Sequence, residues 1–312
     1  MADIVTITLN PALDLTTRVD RILPFQKLRC GPIRRDAGGG GINVARVLKR
    51  AGCDVLAVHT AGGPTGALLR QLIDAEDLRC EAIDIEAATR EDFTVLETST
   101  ERQFRFVEPG QALRETEITA CVEVCRRHCA DSRFLVVSGS LPPGSPTDSY
   151  ARLNQVRGEA RFVLDASGPA LAAALASGVY LVKPNLHELT ELCGTPLNGL
   201  AARIGACRDI VQRGQAQIVA LTLAELGAIA VTSQSVWSVA APAIEPVSTV
   251  GAGDSFLGFM LWRLTLGDSV PEALRYGVAA GSASLLSPGT SLCRVPDVER
   301  LYAALRVQEV CP

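Results

Sequence analysis

An aspartate closing a run of small residues is the first feature of this chain that carries chemistry. In Ser248-Thr249-Val250-Gly251-Ala252-Gly253-Asp254-Ser255-Phe256, an apparent strand-loop region gives way to Gly-Ala-Gly and then to an apolar run, 256–261, that reads as helix body. Such a turn aims several backbone N–H groups at one point, and the helix N-terminus adds partial positive charge there. Glycine lets a ligand approach the backbone closely. Asp254 then stands where it can take a proton from a hydroxyl attacking a phosphoryl group. The same residues also describe a Gly-rich turn with Asp254 as a helix cap.

A second turn of this kind, Gly38-Gly39-Gly40-Gly41, runs into Ile42-Asn43. It lacks the Lys-Ser/Thr of a nucleotide P-loop and the spacing of a dinucleotide fingerprint. Asn43 offers both a donor and an acceptor to sugar hydroxyls, or is simply helix surface after a tight turn. Asp14, in a loop after the first strand, is a lone acid able to hold a hydroxyl. Lys27, Arg29 and Arg90 lie in polar segments where they either meet a substrate phosphate or remain solvated surface charges. Asn185 and Glu188, three apart at a helix start, share one face. Glu188 can hold Mg²⁺ through water, or the pair can form a capping box, and the two roles are compatible.

These residues need elements to bring them together. Strand-like runs at 4–9, 55–58, 80–85, 134–137, 161–165, 180–182, 218–222 and 228–232 alternate with helical patterns at 42–50, 65–75, 116–130, 186–193, 200–213, 253–266, 270–286 and 298–305. That alternation predicts an α/β fold with a mainly parallel sheet covered on both faces, whose ligands sit where strand C-termini open into loops. Two segments do not suit a buried sheet. Residues 15–36 and the hairpin pattern at 93–97 and 103–107 alternate polar and apolar residues, and they predict a small second sheet projecting as a lid or an interface. No long linker or repeat divides the 312 residues, so a single unit over 1–312 is expected.

Composition excludes several classes. Hydrophobic residues make up 47% of the chain, enough for a full core. A net charge of −4 and 4% aromatic residues argue against nucleic acid as a partner. No apolar run approaches bilayer-spanning length, and Met1-Ala2-Asp3-Ile4-Val5 has no signal-peptide pattern. The ten cysteines, Cys30, Cys53, Cys80, Cys121, Cys125, Cys129, Cys193, Cys207, Cys293 and Cys311, include no C-x-x-C pair. Cys121, Cys125 and Cys129 repeat at helical spacing without a fourth ligand, which predicts free core thiols in a reducing cytoplasm. The three histidines do not cluster and no G-x-S-x-G elbow occurs, which disfavours zinc and serine hydrolases.

Taken together, 8–14, 27–30, 38–46, 105–107, 138–144, Lys183-Pro184-Asn185, 248–255 and 277–282 resemble the ribokinase-like, or PfkB, family of sugar kinases over nearly the whole chain. The resemblance implies a three-layer ribokinase-like sandwich with a β lid from about 15–37 and 90–107. It implies ATP-dependent phosphorylation of a phosphosugar, with fructose 6-phosphate going to fructose 1,6-bisphosphate. Fructose 1-phosphate or tagatose 6-phosphate is an alternative substrate, and a non-catalytic sugar-phosphate sensor an alternative role. It implies Asp254 as base and Gly251, Ala252 and Gly253 as anion hole. Asp14, Gly39, Gly40, Asn43 and Ser138 would bind the sugar, with Lys27 and Arg90 near its phosphate. Lys183, Asn185, Thr222, Glu225, Gly227, Ser248 and Ser282 would serve ATP, and Glu188 Mg²⁺. Ser248, Val250, Ser284, Ser287, Gly289 and Ser291 would hold K⁺, largely by backbone carbonyls. The lid would also form a homodimer interface. Four positions depart from the family pattern: Ala224 replaces a usual Gly, Glu225 adds charge in the nucleotide loop, Asp92 replaces an amide, and Ser291 replaces a basic residue.

Overall fold

A computed structural model describes residues 2–287, 289 and 291–310. Strand β1 (Ile4–Thr8) is followed by β2 (Ala12–Val19), β3 (Arg34–Gly38), α1 (Gly40–Arg50), β4 (Val55–Ala61), α2 (Gly63–Ala75) and β5 (Cys80–Asp84). A hairpin, β6 (Arg90–Glu97) and β7 (Arg102–Val107), comes next. Then follow α3 (Glu115–Cys129), β8 (Phe134–Ser138), α4 (Ser149–Gln155), β9 (Arg161–Asp165), α5 (Gly168–Leu175) and β10 (Val179–Val182). The chain continues through α6 (Leu186–Cys193), α7 (Gly199–Gln212), β11 (Ala216–Thr222), β12 (Ala228–Val231) and β13 (Val236–Val239). Helices α8 (Ala252–Thr265), α9 (Val270–Ser284) and α10 (Val295–Ala304) precede β14 (Val307–Glu309).

Among the described residues, ten strands form one sheet in the order β14-β13-β12-β11-β10-β9-β8-β1-β4-β5. Pairing is parallel from β5 to β11, and β12 to β14 add antiparallel at one edge. Successive side chains point to opposite faces. Ile4, Val55, Ala57, Phe134, Val136 and Val163 face a core shared with α1, α2, α8, α9 and α10. Val5, Ile7, Leu56, Val58, Leu135 and Val137 face a second core with α3 to α7. Burial on both faces explains why these strands read as continuous apolar runs. The arrangement is the three-layer α/β fold expected.

Four strands form a second sheet, β3-β2-β6-β7, from the two polar segments. Here the structure corrects the sequence reading. Asp14 lies in no loop: it is the third residue of β2, with Asp36 of β3 and Asp92 of β6 directly beside it in register. Strand β2 starts right after Pro11 because neighbours on both edges satisfy its backbone, which local turn propensity does not reveal. Residues 20–33 hold no strand, and Lys27 and Arg29 are exposed there. Strand β13 and the edge strand β14 carry no strong sequence signal. They form because the sheet offers an unpaired edge.

Among the described residues the cysteines are free thiols, and Cys121, Cys125 and Cys129 are buried in the core of α3. Cys311 lies outside the described residues.

Candidate active site

Helices α1 and α8 pack side by side and open their N-termini into one cavity. Gly258 allows the approach, since a Cβ there would stand 2.5 Å from Val47. The α8 N-cap, Gly251, has φ 76°. A side chain at that position would be strained and would also meet Leu292. This left-handed turn points the N–H groups that start α8 toward the cavity and places Asp254 in its first turn.

The cavity measures about 320 Å³. The sequence-predicted residues Asp14, Gly39, Gly40, Asn43, Arg90, Ser138, Lys183, Glu188, Val250, Gly251, Ala252, Gly253 and Asp254 line it together. It also takes in Asp92, Arg105 and Asp165, which the sequence did not mark as site residues. Each of these is a single charged residue on a strand. Only the tertiary fold makes them converge, so spacing in the sequence carries no signal for them, although Arg105 lies in a stretch that carries the family resemblance.

The electrostatics are organised in two groups. At the floor, Asp254 Oδ2 accepts from Asn43 Nδ2 at 2.9 Å. Burial, then the neighbouring Asp165 carboxylate, push its pKa up to about 6, against the pull of Asn43, Lys183 and Arg105. Asp165 pairs with Lys183 Nζ at 3.0 Å and accepts from Ser138 Oγ at 3.3 Å. Burial opposes the charge on Lys183, but the Asp165, Glu188 and Asp254 carboxylates outweigh it and raise its pKa. On the lid wall, Arg90 donates to Asp92 Oδ1 at 2.6 Å and to Glu108 O at 2.8 Å, and Arg105 approaches Asp92 Oδ2 at 3.4 Å. Asp14 sits between Asp36 and Asp92, and burial pushes its pKa up to about 7. Two arginines therefore face the cavity from the lid, and Asp92 anchors both.

Asn185 and Glu188 form the capping box. Glu188 N donates to Asn185 Oδ1 at 2.9 Å, and Asn185 N donates to Glu188 Oε2 at 2.8 Å. The carboxylate nevertheless lines the cavity, and burial raises its pKa. A single, partly engaged carboxylate suits Mg²⁺, which keeps most of its waters.

Several expected residues fall outside the cavity. Thr222, Glu225 and Gly227 lie beside it: Thr222 N donates to Pro184 O at 3.0 Å, which ties their loop to the start of α6. Ser282 is buried on α9. Lys27 stays on its exposed loop. In the proposed K⁺ set, Ser248 Oγ meets Gly289 O at 3.3 Å, and Ser287 is buried near the same turn. Ser284 Oγ turns back to Gly281 O. The Ser291 carbonyl accepts from Arg50 at 2.6 Å.

Residues 3–297 match the family model for pfkB family carbohydrate kinases. The chain is 41% identical over 301 residues to the ATP-dependent 6-phosphofructokinase isozyme 2 of Mycobacterium tuberculosis, covering 96% of this chain and 88% of that one. The solved phosphofructokinase-2 of Escherichia coli in complex with fructose-6-phosphate superposes with a TM-score of 0.91 at 38% identity, over 97% of this chain and 99% of that one. The Escherichia coli protein in complex with potassium superposes at 0.93 and 39% identity, over 97% and 99%.

Proposed function

This chain belongs to the pfkB family of carbohydrate kinases, and from that premise we propose that it transfers the γ-phosphoryl group of ATP to fructose 6-phosphate, giving fructose 1,6-bisphosphate and ADP. The observation that carries the reading is Asp254 at the N-terminus of α8, half-buried and lining a cavity whose lid wall presents Arg90 and Arg105. A base, an oriented anion hole and cationic groups for a phosphate are what phosphoryl transfer to a phosphosugar needs.

Asp254 takes the proton of the attacking C1 hydroxyl. The new O–P bond forms as the bond from γ-phosphorus to the ADP oxygen breaks. N–H groups of the 251–253 turn receive the charge on the transferring oxygens. Asp14, Gly39, Gly40, Asn43 and Ser138 hold the sugar, and Arg90 and Arg105 its 6-phosphate. Lys183, charged through its pairing with Asp165, faces the phosphates of ATP. The Thr222 to Gly227 loop, Ser248 and Ser282 would hold ATP, and Glu188 would hold Mg²⁺, which would neutralise phosphate charge. K⁺ would rest on Ser248, Val250, Ser284, Ser287, Gly289 and Ser291. The whole span 1–312 acts as one catalytic unit.

Exposed apolar residues concentrate in the lid segments: Leu23, Phe25, Ile33, Leu96, Phe106 and Val107. Exposed apolar side chains in these segments fit a homodimer formed through the lid. No described helix is long and apolar enough to cross a membrane. The buried free thiols suit a reducing cytoplasm.

A coupled assay with ATP and fructose 6-phosphate, fructose 1-phosphate, tagatose 6-phosphate and unphosphorylated fructose tests the substrate. The highest kcat/KM is expected with fructose 6-phosphate. A flat response to all four would contradict the reading and favour a sugar-phosphate sensor.

A further inference from the structure

Asn43, one turn into α1, is the only side chain recorded as donating a hydrogen bond to Asp254 among the described residues. What holds Asn43 in place lies three residues on, on the same helix face. Arg46 Nη1 stands 3.3 Å from Asn43 Oδ1 and 3.3 Å from Ala37 O. Its Nε donates to Glu76 Oε2 at 2.8 Å, and Nη2 meets Glu76 Oε1 at 2.6 Å. Arg46 is 4% exposed, whereas Glu76, which caps the C-terminus of α2, is 35% exposed.

The direction of this chain follows from chemistry. A guanidinium has donors and no acceptor, so the Asn43 oxygen must face Arg46. The amide NH₂ must then face Asp254, where it stabilises the carboxylate. Without Arg46 the amide is free to turn over and set its oxygen against the Asp254 carboxylate. The bidentate pair with Glu76 fixes the plane of the guanidinium, and with it the angle at Asn43.

We infer that Arg46, locked by Glu76, is a positioning residue that keeps the Asn43 amide oriented toward Asp254 and so sets the basicity of the base from the far end of α2. The inference rests on Asp254 being the base. The other groups facing Asp254 come from different elements: Asp165 at the end of β9, Lys183 after β10, and Arg105 of β7. Across the cavity stand Asp14 and Asp92 of the lid, Arg90 beside them, and Glu188 of α6. None of these lies on the path from Glu76 through Arg46 to Asn43, so changing that path leaves their charges in place.

The test is the pH profile of kcat/KM for fructose 6-phosphate, with Tm alongside, in the wild type, Arg46→Met, Arg46→Lys and Glu76→Ala. Loss of a hydrogen bond to the charged form makes the base harder to ionise, so the acidic limb should move to higher pH, by about one unit for Arg46→Met. Glu76→Ala should move it the same way by less. Arg46→Lys keeps the charge but cannot bridge Glu76 and Asn43 together, so it should not restore the wild-type limb. If the limb stays put in Arg46→Met and Glu76→Ala while only Tm falls, the role is structural and the inference is overturned. If Arg46→Met does not fold, Glu76→Ala decides alone, because its side chain is partly exposed. An Asp254→Asn variant that kept near wild-type turnover would instead refute the base assignment itself, a result distinct from an unmoved limb.

Discussion

At the scale of single residues, Asp254 answers two opposing demands. A base works best when its pKa lies near the working pH, and a partly desolvated carboxyl next to Asp165 is pushed that way, to about 6. Asn43, Lys183 and Arg105 keep it from rising further. Only the ionised form accepts the hydroxyl proton, so kcat/KM should fall as the pH drops through about 6 and should not fall on the alkaline side on this residue's account. A profile flat from pH 5 to pH 8 would contradict the assignment. Asp254 and its glycine turn were legible in the sequence because loop, acid and helix start are contiguous. Asp92, Asp165 and Arg105 were not identified as site residues: each is an isolated charge on a strand, and the cavity that joins them exists only after the sheet and the lid have formed. Asp14 was picked out as a ligand but placed in the wrong element, since β2 draws its stability from pairing on both sides.

At the scale of elements, the proposed nucleotide loop shows what a departure from the expected family pattern does physically. Ala224, in the position of a usual glycine, adopts φ 51° in the 3₁₀ turn Ala224–Leu226. An alanine in the left-handed region costs about 1 kcal/mol relative to glycine. Even after glycine's greater unfolded-state entropy is counted, Ala224→Gly should raise Tm by roughly 1–2 °C. Thermal unfolding of the variant checks this, and a lowered Tm would show that the loop has adapted to alanine. Parallel strands and amphipathic helices were readable as elements because burial on both sheet faces imposes continuous apolar runs. Strand β13 and the edge strand β14 were not, because short strands at the margin of a sheet are specified by their neighbours.

At the scale of the whole molecule, the second sheet faces both the cavity and solvent. One side carries Arg90, Arg105, Asp92 and Asp14 to the cavity, and the lid also exposes Phe25, Phe106 and Val107. If that apolar surface is the dimer contact, Phe25→Glu with Phe106→Glu should convert the protein to a monomer in sedimentation equilibrium. An unchanged mass would place the contact elsewhere. Lid, turn and sheet meet in one claim, that Asp254 removes a proton from a phosphosugar bound under the lid. Asp254→Asn tests it most directly, because the amide keeps the shape and removes the base. Measured together by steady-state turnover and by calorimetric titration with fructose 6-phosphate, the variant should lose turnover by a factor of roughly 10³ or more while binding the sugar phosphate within a few-fold of wild type. Turnover near the wild-type rate would contradict the account.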